Sequence, residues 1–524
     1  MPVAVESAIP YPTPRKVDLA HHLSTEARIR QPNPIKSVWK AAQVRPGIIN
    51  MGNGDPHHTL YPISSMNFIV PSLEGDHPVE AWRTGTSKTL VLSSHKDAPS
   101  TLSLRTAFAY GAGAGLPAVR EALADLGARI HAPPNHTVCL SLGNADALTK
   151  CFRLFGDPDD SFLCEEFTFS AMTNAALALG IRWVPVRVDG GGLLPEDLER
   201  VMRCWDEKKQ GKRPHVLYTV PCSQNPTGST ISLERRRRIY EVAHIYDIII
   251  IEDDPYYFLQ YDLQINQNTL KEHGYTRAMS EVLPRSFLSM DIDGRVVRLD
   301  SFSKVLAPGI RLGWITSSPF FADKLDMLTD SSTQHPHGLG QAYLAELLGP
   351  TGWGADGLMK WVHSLAREYE RRRDLFVSVF DAKVAPTGCA SAEVPQSGMF
   401  VWIQVHLETH PRFVVRTPDS GSDDEGDVLG AVMAAPGVLG EVARGGPITN
   451  TEQLMSELLR KLVESGVIMI PASTFAIVDR SGSTLSPIGD RANYLRATFV
   501  GTDETIRDGL TIFAQALEEF FNLK

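Results

Sequence analysis

Between about Arg105 and Ile315, short apolar runs alternate with helical stretches, and this limits the fold more than any other feature of the chain. The runs are VCLSL (138–142), FLCE (162–165), RWVPV (182–186), HVLYTV (215–220), DIIIIE (247–252), VVRLD (296–300) and RLGWIT (311–316). Several are nearly continuous in Val, Ile and Leu, the pattern of strands buried on both faces. Helical segments such as ADALTKCFRLF, SAMTNAALALG and LERRRRIYEVAHIYD lie between them. The alternation predicts an α/β fold with a mostly parallel central sheet and helices on both faces.

After about Met359 the pattern changes. A long charged helix (WVHSLAREYERRRDLFVSVF) precedes MFVWIQV (399–405), VIMIP (467–471) and YLRATFV (494–500), then a closing helix. These predict a smaller α+β domain. The 524 residues divide into a Pro-rich arm outside the core (1–35), an N-terminal part of the small domain (36–104), a large domain (105–358) and the small C-terminal domain (359–524). A flexible insertion is expected at about 407–450, where the chain is rich in Gly, Pro and acids. The acidic run Asp423–Asp427 and the arginines 235–238 and 371–373 read as solvated faces.

Charge narrows the function. Lys plus Arg number 51 and Asp plus Glu 61, a formal net charge of −10, whereas polyanion binding needs a basic face. Nucleic acid and anionic membrane are therefore not expected partners. No run approaches the ~18 apolar residues of a membrane span. The start, MPVAVESAIPYPTPRK, has no secretory pattern, and FFNLK at the end matches no lipidation or targeting signal. The six cysteines are scattered without a CxxC, which predicts free thiols, no metal site and a cytoplasmic setting.

Four strand-end segments carry chemistry. SFSKVLAPGIRLG (301–313) follows VVRLD and holds Lys304, whose burial would favour the neutral amine needed for Schiff-base formation. Ser301, Ser303 and Arg311 suit a dianionic phosphate. DIIIIE runs into DDPYYF (253–258), placing acids where open parallel sheets bind ligands. Asp253 there can hold a proton on a ring nitrogen, and Tyr256 can reach a ring oxygen. TVPCSQNPTGS (219–229) puts Asn225 at another strand end, and NYLRATF (493–499) places Arg496 on a small-domain strand, suited to a carboxylate. Each string alone is an ordinary loop or strand.

Taken in order, NPTG, D-x-x-Y, S-x-S-K-x₆-R and a distant Y-L-R resemble the class I and II aminotransferases, fold-type I enzymes of pyridoxal 5′-phosphate (PLP). The stretches around them resemble the fungal aromatic and the kynurenine/2-aminoadipate aminotransferases, from about Arg30 to the C-terminus apart from the insertion. The resemblance implies the following roles. Lys304 bonds the cofactor and moves a proton between Cα and C4′. Asp253 pairs with the ring nitrogen. Tyr256 and Asn225 contact the phenolic oxygen. Ser301, Ser303, Arg311 and the backbone at Asn144 and Ala145 hold the phosphate. Tyr110 reaches the phosphate across a homodimer interface where the active site lies. Arg496 binds the substrate α-carboxylate, with Asn225 and Gly54 beside the substrate.

Three positions depart from that pattern. Phe169 stands where a tyrosine usually stacks on the ring, which keeps the stacking and loses a hydroxyl. GNADALTK replaces a more polar SQQ-type stretch, and NGDPHHTLYP (53–62), with His57 and His58, replaces GGLPxxxxFP beside the side-chain pocket. The expected reaction moves the amino group of an aromatic L-amino acid (Phe, Tyr, Trp or kynurenine) to a 2-oxo acid such as 2-oxoglutarate. 2-Aminoadipate is the alternative donor, and a lyase or synthase on the same fold the alternative reaction. A non-catalytic regulator would need a DNA-binding domain that the arm is too short to supply.

Overall fold

In the computed structural model of the protein, the described residues are 17–43, 46–49, 51–52, 54–415, 449–478 and 488–523. An antiparallel hairpin comes first, β1 (Ser65–Pro71) against β2 (Thr89–His95). The large sheet begins with β3 (Thr137–Ser141), β4 (Ser161–Glu165) and β5 (Arg182–Val186). A two-residue pair follows, β6 (Val188–Asp189) and β7 (Gly192–Leu193). Then β8 (Val216–Thr219), β9 (Ile249–Asp253), β10 (Val296–Ser301) and β11 (Gly313–Ser317) complete the large sheet.

Its order is β3-β11-β10-β9-β8-β4-β5. Parallel pairing joins β10, β9, β8, β4 and β5 in turn, and β11 runs antiparallel to both β10 and β3. The sheet is mostly parallel, with one reversed strand. Every residue of β4, β8, β9, β10 and β11 is buried. Alternate residues feed opposite cores. Ile249 and Ile251 join Phe152, Tyr218 and Leu299 on one side, while Ile250 joins Leu163, Leu217 and Phe287 on the other.

Charge inside this sheet is paired. Arg298 on β10 is fully buried and lies 3.1 Å from Glu252, 3.0 Å from Asp254 and 2.8 Å from Asp300. Its guanidinium also covers the Tyr257 ring, 4.4 Å from the centroid. Burial still pushes the Asp300 carboxyl up to about 6, against the pull of Arg298.

The smaller sheet is antiparallel, with β12 (Ala390–Ala392), β13 (Phe400–Val405), β14 (Ile470–Pro471) and β15 (Tyr494–Thr498) in the order β12-β13-β15-β14. The strand expected at 467–471 pairs only over its last two residues, where Pro471 ends the ladder. Helices Gly354–Lys383, Thr451–Ser465 and Asp503–Phe520 cover it, through Phe376, Phe380, Leu454, Leu458 and Phe513. The first half of Gly354–Lys383 packs into another core through Leu358, Met359 and Val362.

Two parts of the expected division differ from the packing. The arm is not wholly outside the core: Leu19, Leu23 and Ala27 are buried against Ala147, Leu148 and Cys151 of helix Asn144–Phe155. Leu19 and Leu23 flank the short turn Ala20–His22 and Ala27 lies in helix Thr25–Ile29, two brief elements that the prolines upstream obscured. Within 36–104, helix Pro78–Arg83 packs on Gly354–Lys383 at Ser364 and Glu368, whereas the hairpin does not pack with the small sheet. Val70 and Leu92 of the hairpin share a core with Leu140, Phe302 and Trp314, and Phe68 meets Tyr343 edge-on at 5.0 Å. A lone two-stranded hairpin is marginal in water, so it covers its apolar face on the nearest helix, Gly338–Leu348. Most of the insertion, 416–448, lies outside the described residues, as does Asp423–Asp427, and Val415 bridges Thr449 at its base. Among the described residues, no helix is long and apolar enough to cross a membrane.

Arg298→Met would leave Asp254 and Asp300 with no cation at ion-pair distance among the described residues. Denaturant unfolding of this variant is expected to show a loss of about 3–5 kcal/mol. A loss under about 1 kcal/mol would mean that Arg298 does not hold the cluster.

Candidate active site

The carboxyl edge of the large sheet gathers most of the expected residues. Lys304 follows β10 in a turn and is half-buried. Its Nζ lies 5.9 Å from the Tyr256 ring centroid. Burial lowers its pKa, and the nearby guanidiniums of Arg496 and Arg311 lower it further. A neutral amine is thereby favoured in a place that already holds two cations.

Beside it the backbone forms an anion cradle. Helix Asn144–Phe155 starts after Gly143 with no side-chain cap, so the N–H groups of Asn144 and Ala145 open the helix at its positive end. Arg311 adopts a left-handed conformation (φ 49°), donating from Nη2 to the Leu142 carbonyl at 2.8 Å and from Nη1 to Ser303 Oγ at 3.4 Å. Ser301 Oγ donates to Ser303 Oγ at 2.9 Å. Gly143 has φ 89°, and a Cβ there would sit 2.6 Å from Arg311 Nη2, so the close approach of guanidinium and helix start requires glycine.

Asp253 ends β9 and is buried. Its neighbour Asp254 turns to Arg298, while Asp253 accepts hydrogen bonds from Asn144 Nδ2 (2.6 Å to Oδ1) and from the Tyr218 hydroxyl (3.1 Å to Oδ2). Burial pushes the Asp253 carboxyl up to about 7, against the pull of both bonds. Tyr256 packs edge-on against Phe400, with centroids 5.5 Å apart. Burial, and then Asp253, raise its phenol pKa.

Arg496 arrives from the smaller sheet, opposite Trp402 in the β13–β15 register. Its Cζ lies 4.8 Å from the Phe400 centroid and 4.8 Å from that of Phe475, and its Nη1 donates to Asn225 Oδ1 at 2.6 Å. The two rings hold a planar cation, and Asn225 fixes one edge of it.

The other expected residues take these positions in the single chain. Phe169 precedes helix Ser170–Leu177 and packs, half-buried, on the large-sheet core. Tyr110 is 62% exposed, edge-on to His335. Gly54 is exposed, and a Cβ there would meet nothing within 4 Å. The His57 and His58 rings are tilted by 39° with centroids 4.1 Å apart. Sequence reasoning missed Tyr218, Phe400 and Phe475, and also the Asn144 side chain, which turns to Asp253 rather than to the anion cradle. For Tyr218 one signal was available: a hydroxyl within a fully buried run must find a partner.

An amine of lowered pKa at the same sheet edge as a proton-holding carboxylate suits covalent carbonyl chemistry, and the sheet that carries both has the fold-type I transferase architecture. Aminotransferase Aro8 from Candida albicans superposes with a TM-score of 0.80 at 30% identity, over 97% of this chain and 100% of that one. The chain belongs to the aminotransferase class I and II family, matched over residues 73–513. It is 60% identical to a Serpula lacrymans protein named L-tyrosine:2-oxoglutarate aminotransferase, over 97% of each chain. It is 34% identical to an aromatic amino acid aminotransferase of Schizosaccharomyces pombe, over 74% of this chain and 82% of that one. The protein is an aminotransferase.

The raised Asp253 pKa sets a pH dependence. The folded state keeps a proton there to about pH 7. The unfolded carboxyl loses it near ~3.9. Stability that is present at low pH is therefore lost as pH rises to about 7. In melts of the cofactor-free protein, the midpoint of Asp253→Asn relative to wild type is expected to rise between about pH 4 and pH 7 and then level off. A constant offset would contradict this assignment.

Proposed function

We propose that the protein transfers the amino group of an aromatic L-amino acid, tyrosine foremost, to 2-oxoglutarate with PLP as cofactor. The 60% identity to the Serpula lacrymans tyrosine enzyme over nearly the whole chain carries this reading. The aromatic groups around Arg496 support it. 2-Aminoadipate is the second donor reading, supported by 29% identity to the bovine kynurenine/alpha-aminoadipate aminotransferase.

The residues fit PLP. The uncapped helix start, Ser301, Ser303 and Arg311 suit its phosphate, and Gly143 leaves the room. Asp253 is a buried carboxylate with no cation at ion-pair distance among the described residues, fit for a protonated ring nitrogen. Asn144 Oδ1 is buried with no hydrogen-bond partner at the same place. Tyr256 and Asn225 would meet the phenolic oxygen, and Phe169 would cover the ring. Bound there, PLP supplies an aldehyde that joins amines covalently and a protonated ring that withdraws electrons from the donor's Cα.

The chain's own groups do the rest. Arg496, held flat by Phe400 and Phe475, binds the donor α-carboxylate and orients Cα. Lys304 Nζ, its pKa lowered by burial and its two cationic neighbours, takes the Cα proton and delivers it to C4′. Asp253 keeps the ring-nitrogen proton in place. The same groups run the reverse sequence with 2-oxoglutarate.

Further readings concern assembly. A homodimer with the active site at its interface would place Tyr110 and Gly54 at the partner's cluster. The exposed Tyr110, together with exposed Ile29, Ile35, Val38 and Leu60, supports it. A large cofactor domain and a small domain, each built on its own sheet and core, are supported by the separate packing of the two sheets. A cytoplasmic location is supported by six free cysteines, five of them buried.

A donor panel with 2-oxoglutarate, assayed for glutamate, tests the function. Tyrosine, phenylalanine, tryptophan and kynurenine are expected to yield glutamate, and no glutamate from any donor would sink the reading. Lys304→Ala is expected to lose the visible cofactor absorbance and roughly 10³-fold or more in turnover. Arg496→Lys should raise KM for tyrosine by about tenfold, because a point charge replaces a planar fork.

A further inference from the structure

We propose that Tyr218 is a positioning residue for Asp253 and, through it, for the proton on the cofactor's ring nitrogen. The proposal rests on the PLP reading above. Tyr218 lies on β8, which pairs with β9, and stands opposite Ile251 in the register. From there its hydroxyl donates to Asp253 Oδ2 at 3.1 Å, while Asn144 Nδ2 donates to Oδ1 at 2.6 Å. With both oxygens engaged by donors on different elements, the carboxylate has a fixed plane.

The tyrosine itself is held. It is fully buried, and its ring meets Phe152 edge-on at 6.2 Å and Trp183 at 6.0 Å. Burial and the nearby carboxylates raise its own pKa, so the hydroxyl keeps its proton and remains a donor.

The surroundings explain why a donor is needed. The charges of Asp254 and Asp300 act on Asp253 from the opposite face, and Glu165 and Cys151 also feel its charge. Glu165, at the end of β4, is itself buried with Oε2 unpartnered, and its carboxyl is pushed up to about 7. Arg298 offsets Asp254 and Asp300 and makes no ion pair with Asp253. In such a place a carboxylate tends to hold a proton itself, which would leave the ring nitrogen neutral and a weaker electron acceptor. Two donated hydrogen bonds favour the ionised form.

A double-mutant cycle on PLP affinity tests this. Apoproteins of wild type, Tyr218→Phe, Asp253→Asn and the double variant are titrated with PLP by fluorescence quenching, with circular dichroism confirming that each is folded. Phe keeps the ring packing and removes only the hydroxyl. Tyr218→Phe is expected to bind PLP about tenfold more weakly. Its kcat for tyrosine should fall with little change in donor KM, since the hydroxyl does not face Arg496. In the Asp253→Asn background the same change should have no further effect on PLP affinity. Equal losses in both backgrounds would show a purely structural role, and no loss in either would show no role, so each overturns the proposal. If Tyr218→Phe unfolds, the proposal also falls, because the hydroxyl then serves the core. Absence of PLP binding by the wild type would instead overturn the cofactor reading and this inference with it.

Discussion

One buried guanidinium lets four carboxylates crowd the carboxyl edge of the sheet. Glu252, Asp253, Asp254 and Asp300 lie on or beside two adjacent strands, and Arg298 pairs with three of them. Strand periodicity decides which three: Asp254 turns to one face with Glu252 and Arg298, while Asp253 faces the lysine side. Without that cation the edge would repel itself. With it, Asp253 is left without an ionic partner and available to a ligand cation.

Across the site the charges are reversed. Arg311 and Arg496 concentrate positive charge around Lys304 in a chain whose net charge is −10, so the global figure does not describe the pocket. The proximity of these cations has a chemical effect. Together with burial, Arg496 and Arg311 hold down the Lys304 pKa, so the groups suited to anionic substrate parts also keep the amine nucleophilic.

Much of this was legible from the chain. The isoleucine run of β9 marked a buried strand, and the acids after it marked the ligand edge. Lys304, Asp253, Arg311 and Arg496 each sit in a string that is ordinary alone and stood out through the order in which the four strings follow one another. What sequence did not reveal depends on which strands become neighbours. Tyr218 reaches Asp253 only because β8 lies beside β9, and Asn144 turns its side chain there because β11 brings the helix start alongside β10. Phe400 and Phe475 read as core residues until the smaller sheet places both rings on Arg496. The proline-rich lead concealed the burial of Leu19, Leu23 and Ala27, and no local pattern announced which core would receive the β1–β2 hairpin.

Helix Gly354–Lys383 enters one core near its start and the small-sheet core near its end. A helix of 30 residues is a stiff rod about 45 Å long. Arg496 is carried by the sheet packed on the far end of that rod, and Lys304 by the sheet at its near end. The two sheets that carry Arg496 and Lys304 are thus joined twice, by one continuous helix and by the direct Arg496–Asn225 hydrogen bond at the site.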